Sequence, residues 1–191
     1  MECERLIDIM QGRRTIRSYK KEPIDEESLQ RILDAATLPP TGADLLPYTV
    51  IVVRDSGRKS RIRQGAEEVE MRYHDSLTGR LKERFNSMGV SPVKPFLTDA
   101  PILLIVAGDK SKPYWQESTW LAIAYMILAI ENEGLGSVTY TPPDTGFLSE
   151  LLRLPDNLQP QVVLPIGFAA EQIPPKSSRP QGRIYLEEFT D

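Results

Sequence analysis

The sequence predicts an α+β domain, on three observations. Residues 25–36 carry a capped amphipathic helix, short β-branched runs recur along the chain, and one further helix is apolar nearly all the way round. The 191 residues, 40% hydrophobic and 26% charged, are enough for one core that removes roughly 70% of the unfolded surface from water. No Gly/Ser linker, low-complexity tract or internal repeat divides them, so residues 1–191 read as a single domain.

The first clear element opens at Asp25, an N-cap followed by Glu26 and Glu27 in the first turn. Leu29, Ile32, Leu33 and Ala36 then recur at i, i+3, i+4 and i+7 until Pro39-Pro40 stops the helix. A short polar loop containing glycine leads to Tyr48–Val53, as continuous in hydrophobicity as a strand covered on both faces. From Gly65 to Thr98 the composition shifts to Glu, Arg, Lys, Ser and Met. That segment (about 65–98) buries little and reads either as a solvated helical excursion or as a lid that orders over a ligand. Pro101–Ala107 is a second buried strand, with Gly108-Asp109 as its turn. Glu117–Glu133 is the helix that one sheet face cannot satisfy; it belongs either in the centre of the domain or in a subunit interface. Ser137–Thr141 and Gln161–Phe168 are two further strands, and Pro165 places the latter near an edge or irregularity. After Ala170, the prolines at 174, 175 and 180 and then Arg183–Leu186 read as an extended arm ending in a short strand, suited to lie on a partner subunit.

Charge and composition exclude several classes of function. With 23 Lys plus Arg against 27 Asp plus Glu, the net charge of −4 offers no positive field to nucleic acid or to an anionic membrane. One cysteine, Cys3, and one histidine, His74, leave no disulfide framework and no Cys-rich or paired-histidine metal centre, and neither residue is expected to carry the activity. The acidic start, Met1–Arg5, lacks the character of a secretory signal or transit peptide, and the apolar run Trp120–Ile130 is too short to span a bilayer. A cytoplasmic, reduced setting is expected.

No Gly-x-Gly-x-x-Gly follows a strand, and neither a Walker lysine loop nor a Gly-x-Ser-x-Gly elbow occurs. Arg13-Arg14-Thr15-Ile16-Arg17 sets three guanidiniums and a hydroxyl within five residues, a density that fits either a phosphate grip or a solvated basic patch completing a helix. The loop Pro40–Tyr48 has small residues where a flat ligand could approach the backbone, and it is also simply a turn. Thr139 and Thr141 alternate with Tyr140, so both hydroxyls project from one face of a strand.

In this order the segments resemble the nitroreductase family of flavoproteins over almost the whole chain. Arg13–Arg17 is close to that family's Arg-Arg-Ser-x-Arg, and Pro40–Tyr48 looks like its Pro-Ser-x-x-Asn-x-Gln-Pro-Trp, with Asp44 and Leu46 where many members have Asn and Gln. Pro165–Phe168 and Arg179-Pro180 match the final strand and a second phosphate-binding arginine. Thr41-Gly42-Ala43 and Gly134–Pro142 are most similar to the iodotyrosine deiodinase branch. That branch holds an amino-acid zwitterion with a lid Glu, a Tyr four residues later and a Lys twenty-one residues after the Tyr. Tyr73 and Lys94 have the second spacing; Val69 stands at the Glu position, flanked by Glu68 and Glu70.

The resemblance implies a nitroreductase-like fold, with a central mixed or antiparallel sheet flanked by helices, in an intertwined homodimer holding two FMN molecules. It assigns Arg13, Arg14, Arg17 and Arg179 to the phosphate and to polar atoms of the ribityl chain or ring, with a hydroxyl contact from Thr15. Pro40, Thr41, Gly42 and Ala43 on one side, and Thr139 and Thr141 on the other, would bound the slot for the ring. By the same resemblance Thr141 donates toward flavin N5 and favours one-electron steps, while the amide of Ala43 meets a substrate phenolate. Lys94 and Tyr73 would meet the ligand carboxylate. Glu70 or Glu68 serves the amine if the pattern shifts by one residue; otherwise no carboxylate reads it. NAD(P)H or a partner reductase would supply electrons. Three functions then compete: reductive dehalogenation of halogenated tyrosine or related phenols, broad NAD(P)H-dependent nitroreductase or quinone reductase activity, and a non-catalytic flavin-binding module.

Overall fold

Asp25 starts its helix as the sequence requires: its extended backbone turns the chain and its carboxylate accepts a hydrogen bond from the Ser28 amide at 2.8 Å. These amide contacts hold its carboxyl below the usual carboxylate range. The computed structural model describes residues 3–174, with side chains from residue 6 onward. Its helices are α1 (Cys3–Gly12), α2 (Glu26–Ala35), α3 (Ser56–Ser76), α4 (Gly79–Ser87), α5 (Phe96–Asp99), α6 (Trp115–Asn132) and α7 (Gly146–Leu152). Its strands are β1 (Tyr48–Val53), β2 (Ile102–Asp109), β3 (Gly136–Ser137) and β4 (Leu158–Gly167).

The strands form one sheet in the order β1-β2-β4-β3, antiparallel throughout. The period-2 alternation of β2 feeds a core on each face. Leu104 and Val106 pack with Leu29 and Ile32 of α2 and with Ile123, Met126 and Ile130 of α6. Leu103 and Ile105 pack with Ile62 and Ala66 of α3, Leu97 of α5 and Leu148 of α7. Helices therefore flank a central sheet on both sides. Among the described residues the one parallel pairing is an isolated bridge, Thr15 to Ser137.

Several expectations are corrected. Tyr48–Val53 has the expected bounds, but among the described residues β1 is an edge strand and only half-buried, because a hydrophobic run does not record how many neighbours a strand has. Gly108-Asp109 continues β2 rather than ending it, paired with Gln159 and Leu158. The strand expected at 137–141 shrinks to the two residues of β3 plus one bridge between Tyr140 and Val163. Pro165 lies in an interior strand, not at an edge. This is tolerated because β3 pairs only with Ile166 and Gly167, while the Tyr19 hydroxyl, whose single proton is shared with the nearer Ile16 carbonyl, lies 3.1 Å from the Pro165 carbonyl. The expected irregularity does occur in β4, where the register with β2 shifts between Val106 and Ala107. The final part of the proposed arm, with Arg183–Leu186, lies outside the described residues.

α6 buries Ala122, Ile123, Met126 and Ile130 inward, while Trp120, Leu121 and Tyr125 remain about 40% exposed on its outer face. Leu6, Ile7 and Met10 of the neighbouring α1 are exposed as well. Among the described residues no helix is long and apolar enough to cross a membrane.

Candidate functional site

The segment after α1 is tied to β3 and to the chain that leaves β4. Ile16 donates its amide to Ser137 at 3.0 Å, Lys20 donates to Phe168 at 2.9 Å, and Ala170 donates to Ser18 at 2.9 Å. Gly136 permits the first contact, since a Cβ there would lie 2.6 Å from Ile16. Tyr19 fastens the turn from within, its hydroxyl donating to Ile16 at 2.7 Å; burial first, and then the Glu171 carboxylate, raise its pKa well above the usual phenol value. The Glu171 carboxylate accepts from the amides of Arg17 and Ser18, the latter at 2.9 Å. Arg13, Arg14 and Arg17 are thus presented from a fixed backbone. Arg14 spends its guanidinium on carbonyls, donating to Pro174 at 2.9 Å, but the guanidiniums of Arg13 and Arg17 have no carboxylate or hydrogen-bond partner among the described residues. Arg179 lies outside them.

Arg17 opens onto a groove of about 1000 Å³. Thr139 and Thr141 line it with exposed side chains, while Tyr140 between them points into the core, as their alternation predicts. Neither threonine hydroxyl is engaged in a hydrogen bond within the described residues. The opposite wall comes from the 65–98 segment, with Glu70 and Tyr73 of α3, Phe85 of α4 and Lys94 of the loop before α5. α4 buries no residue, as sparse apolar content predicts. The expectation that the whole 65–98 segment buries little is corrected: Ala66 and Val69 of α3 and Phe96 and Leu97 of α5 are core residues, because a few well-spaced apolar side chains suffice to seat each helix.

Of the two carboxylates left open by the sequence, Glu70 lines the groove and is buried, while Glu68 is exposed and accepts from Gln64 at 3.0 Å. Val69 is a core residue. Lys94 Nζ lies 3.3 Å from Glu70 Oε2, donates to the Ser91 carbonyl at 2.5 Å and sits 5.7 Å from the centre of the Tyr140 ring. The Lys94 amide donates to Glu67 Oε1, which also accepts from Arg63 Nε, so the backbone carrying the lysine is tied to α3. Burial first, then the Glu70 carboxylate, hold the Tyr140 phenol far above its usual pKa; its buried hydroxyl has no hydrogen-bond partner among the described residues.

The sequence reading missed His74, whose Nε2 is buried, lacks a hydrogen bond and lies 3.6 Å from the same Glu70 oxygen. The four-residue spacing Glu70–His74 would have exposed the pairing once a helix was placed over both.

The loop at 40–43 does not line this groove within one chain; it packs beside the start of α6. There Gly42 donates to Ser118 Oγ at 3.2 Å, and a Cβ on it would lie 2.7 Å from Tyr114. Ala43, Asp44 and Leu46 all have left-handed backbone, with φ of 54°, 55° and 44°. Three strained non-glycine residues so close together mark a loop shaped for something besides stability. Gly42 has spent its amide, whereas the Ala43 amide has no acceptor among the described residues.

An antiparallel sheet between helical layers thus carries a groove lined by the unpaired guanidinium of Arg17, by Thr139 and Thr141, and by the buried Glu70–Lys94 pair. The chain belongs to the nitroreductase family, whose model matches residues 10–168. It is 38% identical over 185 residues to an iodotyrosine deiodinase from Thermotoga neapolitana, covering 97% of this chain and 98% of that one. It is 34% identical to another from Haliscomenobacter hydrossis, covering 85% and 78%. Among solved structures, it is similar to an oxidised iodotyrosine deiodinase bound to FMN and 3-iodo-L-tyrosine, with a TM-score of 0.87 at 38% identity over 97% of this chain and 99% of that one.

Proposed function

We propose that this chain is an FMN-dependent oxidoreductase that removes halide reductively from a halogenated tyrosine or related phenol, in a site completed by a second copy of itself. The observation that carries the reading is the groove in which unpaired Arg17 and the two threonines face the buried Glu70–Lys94 pair. It combines the needs of a flavin phosphate and ring with those of an ammonium and a carboxylate, and a chain similar to this one holds FMN and iodotyrosine together.

Arg13, Arg17 and Arg179 would hold the phosphate and polar atoms of the ribityl chain or ring through charge-assisted, forked contacts, with Thr15 adding a hydroxyl; Arg14 joins them by giving up the carbonyls it now donates to. Thr139 and Thr141 would border the ring, with the Thr141 hydroxyl, unengaged among the described residues, set to donate toward its N5. Bound FMN supplies the two electrons which, with one proton, replace the carbon–halogen bond by carbon–hydrogen and release halide. Ala43 donates its amide to the phenolate oxygen, where a preorganised donor stabilises negative charge. Lys94, with Tyr73 beside it, receives the ligand carboxylate and Glu70 its ammonium. Since Pro40, Thr41, Gly42 and Ala43 stand away from the groove, they reach it from the partner of a homodimer. The apolar outer face of α6 beside α1 is the surface on which the copies pair, and this cytoplasmic enzyme draws its electrons from NAD(P)H or a partner reductase.

The visible spectrum of the purified protein, before and after adding iodotyrosine, tests this. A yellow preparation whose spectrum shifts, and which releases iodide when reduced, is the expected result. A colourless protein, a flavin that no donor reduces, or a flavoprotein that reduces only nitroaromatics or quinones overturns it.

A further inference from the structure

Glu70 Oε2 stands between two basic groups. Lys94 Nζ approaches at 3.3 Å from the loop before α5, and His74 Nε2 at 3.6 Å from the next turn of α3. The imidazole is held edge-on against Phe85 of α4, with centroids 5.5 Å apart, and against Tyr73 at 6.5 Å. Its Nε2 therefore lies by the carboxylate with no hydrogen-bond partner among the described residues. The remaining ionisable neighbours are Tyr140, whose phenol stays neutral, the Glu67–Arg63 pair one turn back on α3, and Arg17 across the groove.

Counting charges gives His74 a consequence for ligand choice. With a neutral imidazole, Glu70 and Lys94 sum to zero, and a ligand bringing an ammonium and a carboxylate exchanges one internal pair for two external ones. A ligand bringing a carboxylate alone takes Lys94 and strands Glu70, a buried charge without a partner, which is strongly unfavourable. An imidazolium reverses the preference: it satisfies Glu70 and frees Lys94 for the carboxylate, while an incoming ammonium leaves a surplus positive charge. We propose that His74 is a specificity-determining positioning residue that acts through Glu70, so that the pocket takes phenolic α-amino acids when the imidazole is neutral and amine-free phenolic carboxylates when it is charged. This rests on the reading of the groove as a halophenol site.

The FMN-loaded protein is titrated with iodotyrosine and with its des-amino analogue, following the flavin spectrum, between about pH 5.5 and 8, where imidazole changes charge. Both ligands carry the same phenol, so its ionisation cancels in the ratio of their dissociation constants. In the native protein that ratio shifts toward the des-amino ligand as pH falls, by up to about tenfold per pH unit for one linked proton. In His74→Gln and His74→Phe it is flat. Two variants of different polarity guard against loss of the fold in either one. A flat ratio in the native protein, or a slope that survives in both variants, overturns the role of His74 while leaving the halophenol site standing. No spectral response to either ligand at any pH overturns that site, and the role of His74 with it.

Discussion

Glu70 of α3 and Lys94 of the loop before α5 face each other at 3.3 Å, both more than nine-tenths buried, in the wall of the groove that also holds Arg17, Thr139 and Thr141. Desolvation offsets most of the attraction in such a pair, so stability alone is a weak reason for it. A groove that receives a zwitterion gives a better one, because each charge can exchange its internal partner for one on the ligand without either being left alone.

Lys94→Ala is therefore expected to weaken iodotyrosine binding by about 10–100-fold, the scale of a lost charge-assisted hydrogen bond. Iodotyramine, which lacks the carboxylate, should bind at least as tightly as before, since Glu70 is then free for its ammonium. Flavin fluorescence titration with both ligands decides it, and equal weakening of the two removes the assigned role.

Thr141→Ala leaves a groove-facing position without its hydroxyl while Tyr140 and the Val163 bridge stay in place. The expected result is a smaller separation between the two one-electron reduction potentials of the bound flavin, read by anaerobic titration with a graded reductant. An unchanged separation rules out donation at N5.

What was legible in the sequence is what is local. The Asp25 cap, the bounds of β1, the length of α6 and the outward pairing of Thr139 with Thr141 each follow from a few neighbouring residues. What was illegible depends on partners distant in the chain. Nothing near Tyr48 records that β1 has one neighbour among the described residues, and nothing near Pro165 records that β3 is two residues long. The choice between Glu68 and Glu70 needed the orientation of α3 against the sheet, which buries Ile62, Ala66 and Val69 and thereby turns Glu70 inward and Glu68 out.

The outer face of α6 gives a test of the two-chain site. Leu121→Lys together with Tyr125→Lys places like charges on the proposed interface without touching the inward residues Ala122, Ile123 and Met126. A monomer by light scattering that keeps its fold but loses flavin is expected. A flavin-loaded monomer overturns the shared site.

The Asp25 cap predicts a pH dependence of stability. Its carboxyl is held below the ordinary value by the Ser28 amide, so the contribution is present above the unfolded pKa of about 3.9 and is lost as pH falls through the depressed folded value. Asp25→Ala should lower the melting temperature at neutral pH, and the gap to the native protein should close at pH values below about 4. A gap that persists in acid assigns the effect to something other than the charged cap.

Glu171 is the last link between the sheet and the arginines. Its Oε1 accepts from the amides of Arg17 and Ser18 while, on the other side of the segment, Ile16 donates to Ser137. Glu171→Ala removes an acceptor worth about 1 kcal/mol per hydrogen bond and lets the arginine segment move, so FMN affinity should fall by about tenfold or more. Glu171→Gln keeps a side-chain carbonyl oxygen for both amides and removes a negative charge close to the segment that binds the phosphate. Its FMN affinity should equal or exceed that of the native protein. Fluorescence titration of the apoprotein with FMN separates the possibilities. Equal losses in both variants would mean that the charge of Glu171 matters and its acceptor geometry does not, and no loss in either would mean that Arg17 is positioned without it.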